Sequence, residues 1–282
     1  MNFQFSAFAD ESSNVFTEQI SALKRNDYRF LEIRGVDGKN VTELTVCEAK
    51  QLTQMLKDNG LSVWSVGSPI GKIPVDGDWE AHLELYRHTL ELAAALETNH
   101  IRLFSFYMPA NSDPAQYASL VIDRMGVFGE LAAQAGVVAC HENEKGIFGD
   151  NAARCLQIYQ ACPQVRGVFD PANFIQCGQD TLQAWDMLAP YMVYMHIKDA
   201  LPNGKVVPPG QGAGNVAQIV QAYGRQGGKV LSLEPHLYAF VGLKNLEQEG
   251  GESIVGALNF TTAKDAFDYA AQNLIRITQA QE

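Results

Sequence analysis

What the chain has little of narrows its reading first. Its five cysteines, Cys47, Cys140, Cys155, Cys162 and Cys177, are odd in number, scattered and without a C-x-x-C pair, so we assign them neither disulfide nor metal and expect reduced thiols. No basic run interrupts a sequence whose formal net charge is −11, so the electrostatic footprint of a nucleic-acid or anionic-membrane partner is missing. No apolar stretch approaches the length that spans a bilayer. The opening MNFQFSAFADESSN lacks a positive n-region and turns acidic too early for a signal peptide, so a cytoplasmic location is expected.

What is there is enough for a full core. At 282 residues, with 46% hydrophobic and 19% charged, residues 1–282 are expected to form one large α/β domain. Short apolar runs begin near Phe3, Arg29, Leu61, His100, Val137, Arg166, Met192 and Lys229, and a polar or Gly/Pro-containing loop and a longer amphipathic segment follow each. Asp113-Pro114 reads as the start of the fourth helix and Ser12 or Asn14 as the cap of the first, while Gly60 and Gly136 close the second and fourth. Eight strand-plus-helix units over this length suggest a (β/α)8 TIM barrel, whose active site lies where strands end and βα loops begin.

Strand ends are therefore where function is sought. The run Val137-Val138-Ala139-Cys140 stops abruptly in His141-Glu142-Asn143-Glu144, polar groups that need partners if buried. Three further units also finish on cation-binding types: Asp170 in VFDPANF, His196 in YMHIKDA and Glu234 in LSLEPHL. With Glu142 they come from strands five to eight, neighbours around a barrel. Taken singly, a strand-end carboxylate caps the next helix or pairs with a lysine, as Asp170 before Pro171 would. Three carboxylates and an imidazole at one mouth repel one another unless a cation sits among them. Oxygen-rich ligation with a single histidine suits one divalent ion, Mn, Mg or Co rather than tetrahedral Zn.

HENE, FDPANF, HIKDA and SLEPH, in this order along essentially the whole chain, resemble the sugar phosphate isomerase/epimerase family, barrels built like xylose isomerase. The resemblance implies that Glu142, Asp170, His196 and Glu234 hold one divalent metal. It implies a small sugar substrate; in the family's ketose 3-epimerases a histidine that binds substrate stands three residues after the metal aspartate, where this chain has Asn173. Related endonucleases of abasic DNA use a three-metal cluster and several more histidines, against six in this whole chain.

The expected activity is isomerisation or epimerisation of a small polyhydroxy carbonyl compound through an enediolate. Glu142 and Glu234, at the two ends of the quartet, serve as the acid/base pair as well as ligands. A dehydratase of an inositol-like ketone and a non-catalytic sugar-binding barrel are the alternatives, and association into a homo-oligomer is left open. Around the quartet, Glu144, Lys198, Asp199 and His236 either meet substrate or orient ligands; Lys198, His236, Asn173 and Glu32 are the substrate candidates, and Arg34 is read as bracing the rim. His82, His88 and His100 read as structural. The glycines of 200–214 suit a turn better than a phosphate site. The segment 236–259 reads as a lid that brings Phe240 over the pocket, or as an extra helix.

Overall fold

The computed structural model of the chain describes residues 2–239 and 258–279. Eight strands, β1 (Gln4–Ala7), β2 (Phe30–Ile33), β3 (Ser62–Gly67), β4 (His100–Leu103), β5 (Val138–Glu142), β6 (Val165–Phe169), β7 (Met192–Ile197) and β8 (Val230–Leu233), pair in parallel in that order, and β8 pairs back onto β1. The result is a closed α/β barrel in a single TIM-barrel domain, and each strand begins within one residue of the start read from hydrophobic patterning. No helix among the described residues is long and apolar enough to cross a membrane.

Helices α1 (Phe16–Arg25), α2 (Val46–Asp58), α3 (Trp79–Ala95), α4 (Ala118–Gln134), α5 (Ala152–Ala161), α6 (Pro171–Gln176), α7 (Thr181–Leu188), α8 (Val216–Arg225) and α9 (Ala263–Gln279) fill the connections and follow β8. α1 shows why they pack on the barrel: Phe16, Gln19, Ile20, Ala22 and Leu23 recur at helical spacing and are buried. Gly60 and Gly136 follow the ends of α2 and α4 with φ of +71° each, a left-handed turn that favours glycine. Asp113 caps the short turn Pro114–Tyr117 that feeds α4. The cap of α1 differs from the expectation: Asp37, from the loop after β2, accepts the Phe16 N–H at 2.9 Å. A 3-10 turn at Ala9–Glu11 delays the helix until Val15 stands at its cap, beyond both Ser12 and Asn14. First and last units are joined by Arg25, whose Nε and Nη2 clasp Asp268 at 2.7 and 2.8 Å.

Strand alternation fills the barrel in layers. Tyr194, Cys140, Val168 and Val230 pack with Trp64 as an apolar layer. Two residues further along the same strands stand His196, Glu142, Asp170 and Ser232, and beyond the last of these Glu234. The apolar layer is the floor, and the polar groups occupy the strands' C-terminal ends.

Asp199, one residue past Lys198, organises the loop 200–214. Its carboxylate accepts the N–H groups of Ala200 and Gly214 on Oδ1, both at 2.9 Å, and of Gly210 and Gly212 on Oδ2 at 3.0 and 2.9 Å. The glycines thus turn their amides on an internal anion. A Cβ at residue 212 would come within 2.3 Å of Asp199 Oδ1. Asp199→Ala is expected to leave the buried donors of Ala200 and Gly214 unmatched at about 1–3 kcal/mol each and to lower Tm by about 5 °C or more. A thermal melt checks it; an unchanged midpoint contradicts the anchoring role.

Candidate metal centre

Glu142, Asp170, His196 and Glu234 converge, each offering a ligand atom, with all four atoms within 4.8 Å of one another and all four side chains buried. Consecutive strands deliver them: Glu142 ends β5, Asp170 follows β6, His196 lies near the end of β7 and Glu234 follows β8.

The run at the end of β5 divides its side chains between two faces. His141 points outward, its Nε2 2.9 Å from Ser105 Oγ and its Nδ1 3.2 Å from Tyr159 OH, and burial pushes its pKa down to about 3, so it is neutral. Glu142 points inward. Asn143 ties β5 to β6, accepting the Asp170 N–H at 3.0 Å and donating to the Asp170 carbonyl at 2.9 Å. Glu144 pairs with Lys72 at 3.1 Å.

Each candidate ligand has its own holders. Glu142 Oε2 accepts from Arg102 Nη1 at 2.8 Å, and its Oε1 lies 2.9 Å from His196 Nδ1 and accepts from Asn173 Nδ2 at 3.3 Å. Glu234 Oε1 accepts from Arg34 Nη1 at 3.0 Å and Oε2 from Lys198 Nζ at 2.9 Å. Arg34 also clasps Asp10 through Nε and Nη2, at 2.9 and 3.0 Å, and reaches Glu11 at 3.0 Å. Expected as a rim brace, Arg34 is in fact 3% exposed at the centre, because alternation along β2 carries it to the same face as Glu32.

Glu32, expected to meet substrate, lies behind the quartet. Its Oε2 is 3.1 Å from His196 Nε2 and accepts from Ser232 Oγ at 2.6 Å, while Oε1 accepts from Tyr194 OH at 2.7 Å. That is the arrangement of a carboxylate fixing a ligand imidazole through its far nitrogen. His236, in a left-handed conformation at φ +44°, places Nε2 3.3 Å from Glu11 Oε1 and 3.5 Å from Glu234 Oε1. Glu11, Glu234 and His236 form a second trio of potential ligands, but Arg34 already bonds two of its members.

The donor set fits a divalent cation. Six buried carboxylates, Asp10, Glu11, Glu32, Glu142, Asp170 and Glu234, face three buried fixed cations, Arg34, Arg102 and Lys198. Asp170 Oδ1 caps α6 through the Asn173 N–H at 2.9 Å, whereas Oδ2 is buried without a hydrogen bond, with Lys198 Nζ 3.0 Å away as an ion-pair contact only. A buried carboxylate oxygen facing the three other members of the quartet is where a metal bond would satisfy what no hydrogen-bond donor does.

Protonation follows the same charges. Burial raises the Glu142 carboxyl, but His196 and Arg102 outweigh it and hold it at about 2. Glu234 lies well below the usual carboxylate range, since Lys198 and His236 overcome its burial. Burial pushes Asp170 up to about 7 against Lys198. His196 is driven down by burial but raised more by Glu142 and Glu32, so it holds a proton. A cation must displace that proton and, below about pH 7, the one on Asp170. Affinity for Mn should thus rise with pH, about tenfold per unit for each proton released. Calorimetry at pH 6 and pH 8 checks this; equal affinities contradict it.

Arg102, Asp10 and Glu11 were not among the residues expected at the centre. A signal for Arg102 was present in HIRLF, where His100, Arg102 and Phe104 alternate onto one face of an apolar strand.

The fold has known counterparts. None of the curated proteins matches the chain. Among solved structures, an L-ribulose 3-epimerase superposes with a TM-score of 0.75 at 16% identity, over 100% of this chain and 96% of that one. The probable 3-DHS dehydratase AsbF of Bacillus anthracis, involved in petrobactin synthesis, gives 0.73 at 19%, over 98% and 99%. A xylose isomerase-like TIM barrel protein of Mycobacterium smegmatis in complex with magnesium gives 0.70 at 13%, over 100% and 98%. The model of the xylose isomerase-like TIM barrel family matches residues 20–252, and the chain is a member of that family.

Proposed function

We propose that the chain is an isomerase or epimerase of a small sugar or sugar derivative, dependent on one divalent metal ion. The observation that carries this reading is the quartet itself: two glutamates, an aspartate and a histidine within 4.8 Å, each glutamate held by its own pair of cationic side chains. Glu142, Asp170, His196 and Glu234 are the ligands, and Mn, Mg or Co suits this oxygen-rich set better than Zn. A cation bound there acts as a Lewis acid, making the hydrogen next to a substrate carbonyl more acidic.

The protein's own groups move the proton. Glu142 and Glu234 are both held as carboxylates and flank His196 from β5 and β8, so one accepts the proton from the carbon beside the carbonyl and the other returns one. Return to the opposite face of the same carbon inverts it; return to the neighbouring carbon, with the hydroxyl proton passing to the former carbonyl oxygen, moves the carbonyl. Arg102 and Asn173 keep Glu142 in place, and Arg34 does so for Glu234. Lys198 and His236, at the strand ends beside Glu234, supply N–H donors for substrate hydroxyls. Glu32 orients His196 from behind.

The test is a panel of keto sugars incubated with manganese-loaded protein in D₂O and followed by NMR. The reading expects a converted sugar with solvent deuterium at the carbon next to the carbonyl. Loss of a hydroxyl in the product means the same base serves a dehydratase. Conversion without solvent deuterium points to a hydride shift, and no conversion or exchange of any sugar contradicts the reading.

A further inference from the structure

Arg102 is a charged side chain, 2% exposed, in the wall of the barrel between β3 and β5. Its Nη1 donates to Glu142 Oε2, but its Nε and Nη2 are buried and have no hydrogen-bond partner. Buried donors without partners are uncommon, and on a charged group they are costly. The rings around it do not satisfy them: its guanidinium carbon lies 4.5 Å from the centre of Phe104 and 5.4 Å from that of Phe8, contacts to ring faces. Opposite Nη2, strand β3 presents Gly67, which has no side chain to offer an acceptor; a Cβ there would lie 3.4 Å from Nη2.

The edge left unmatched is the one this chain uses twice elsewhere to clasp a carboxylate. Nε and Nη2 of Arg34 take both oxygens of Asp10, and those of Arg25 take both oxygens of Asp268. Two parallel N–H groups match the two oxygens of a planar carboxylate. We propose that Arg102 is a specificity-determining residue that binds a carboxylate of the substrate on its Nε and Nη2 edge, so that the sugar is an acidic one. The inference rests on the reading of the quartet as a sugar-acting centre. Access requires the Phe8 ring to turn from its place against Gly67, where its Cε1 lies 2.5 Å from the position of that Cβ.

The experiment compares D-glucuronate, D-glucose and D-glucose 6-phosphate by calorimetry, with manganese and again in EDTA, on wild type, Arg102→Lys and Arg102→Met. Wild type should bind the uronate roughly ten- to hundredfold tighter than glucose, the effect of a charge-assisted bond, and tighter than the phosphate ester. Both variants should lose that preference, read within each protein as the ratio of its uronate affinity to its glucose affinity. Lysine keeps the charge and can still reach Glu142, so Arg102→Lys tests the fork even where Arg102→Met fails to fold. Equal affinities or no uronate binding in wild type, a stronger phosphate ester, or a preference that survives in Arg102→Lys overturns the proposal. Manganese bound without a carboxylate preference removes the role of Arg102 and leaves the enzyme reading standing. No manganese bound, with the preference intact in EDTA, removes the enzyme reading instead.

Discussion

Asp170→Asn is expected to weaken manganese binding by more than the ten- to hundredfold that follows the loss of an outer partner of a ligand, and with it to abolish activity. Asp170 does two separate things through its two oxygens. Oδ1 caps α6 by accepting the Asn173 N–H, which an asparagine oxygen does as well. Oδ2, buried without a hydrogen bond and facing Glu142, His196 and Glu234, is the atom that a bound ion would use. Asparagine removes the negative charge and presents an amide NH₂ that cannot ligate. The variant should therefore keep its fold, read by circular dichroism, while calorimetry shows the loss of manganese affinity. Unchanged affinity would mean that Lys198 alone accounts for the carboxylate's burial.

Glu142→Gln and Glu234→Gln are expected to behave differently from Asp170→Asn: each should retain substantial metal binding yet lower kcat by about 10²- to 10⁴-fold, the range for one lost acid/base group. An amide oxygen still ligates, and it still accepts from Arg102 at position 142 or from Arg34 at position 234. What disappears is a carboxylate that can take up a proton. A ligated carboxylate held low by its neighbours is a weak base, but the cation acidifies the substrate hydrogen at the same time, and the match between the two sets the rate. Solvent deuterium that enters the product in wild type should vanish in both variants. Near-normal turnover in either variant removes that glutamate from proton transfer and leaves it a ligand.

Much of this was legible in the sequence, and the misses have physical causes. Barrel strands announce themselves as short apolar runs, so the starts of β1 to β8 were placed to within one residue. HENE, FDPANF, HIKDA and SLEPH stood out because each sets a carboxylate or imidazole at the end of such a run. Arg34 was misplaced because arginine after a strand resembles a rim residue; only the non-local partners Asp10, Glu11 and Glu234 make its burial sustainable. Arg102 was passed over because its single anionic partner, Glu142, is 40 residues away. Glu32 was recognised as polar at a strand end, but β2 puts it one layer below its expected depth, against His196 and Ser232. Capping failed at α1 for the same reason, since Asp37 is 21 residues from the N–H it accepts. Phe240 and most of the segment expected to form a lid lie outside the described residues.

The most direct test of the central claim is the anomalous difference density of manganese in a crystal of the protein. A single peak within bonding distance of Glu142, Asp170, His196 and Glu234, with Lys198 Nζ withdrawn from between Asp170 and Glu234, is what a metal-dependent isomerase built on this quartet predicts. A peak only at Glu11, Glu234 and His236, or no peak while Lys198 still bridges the two carboxylates at full manganese concentration, would contradict it.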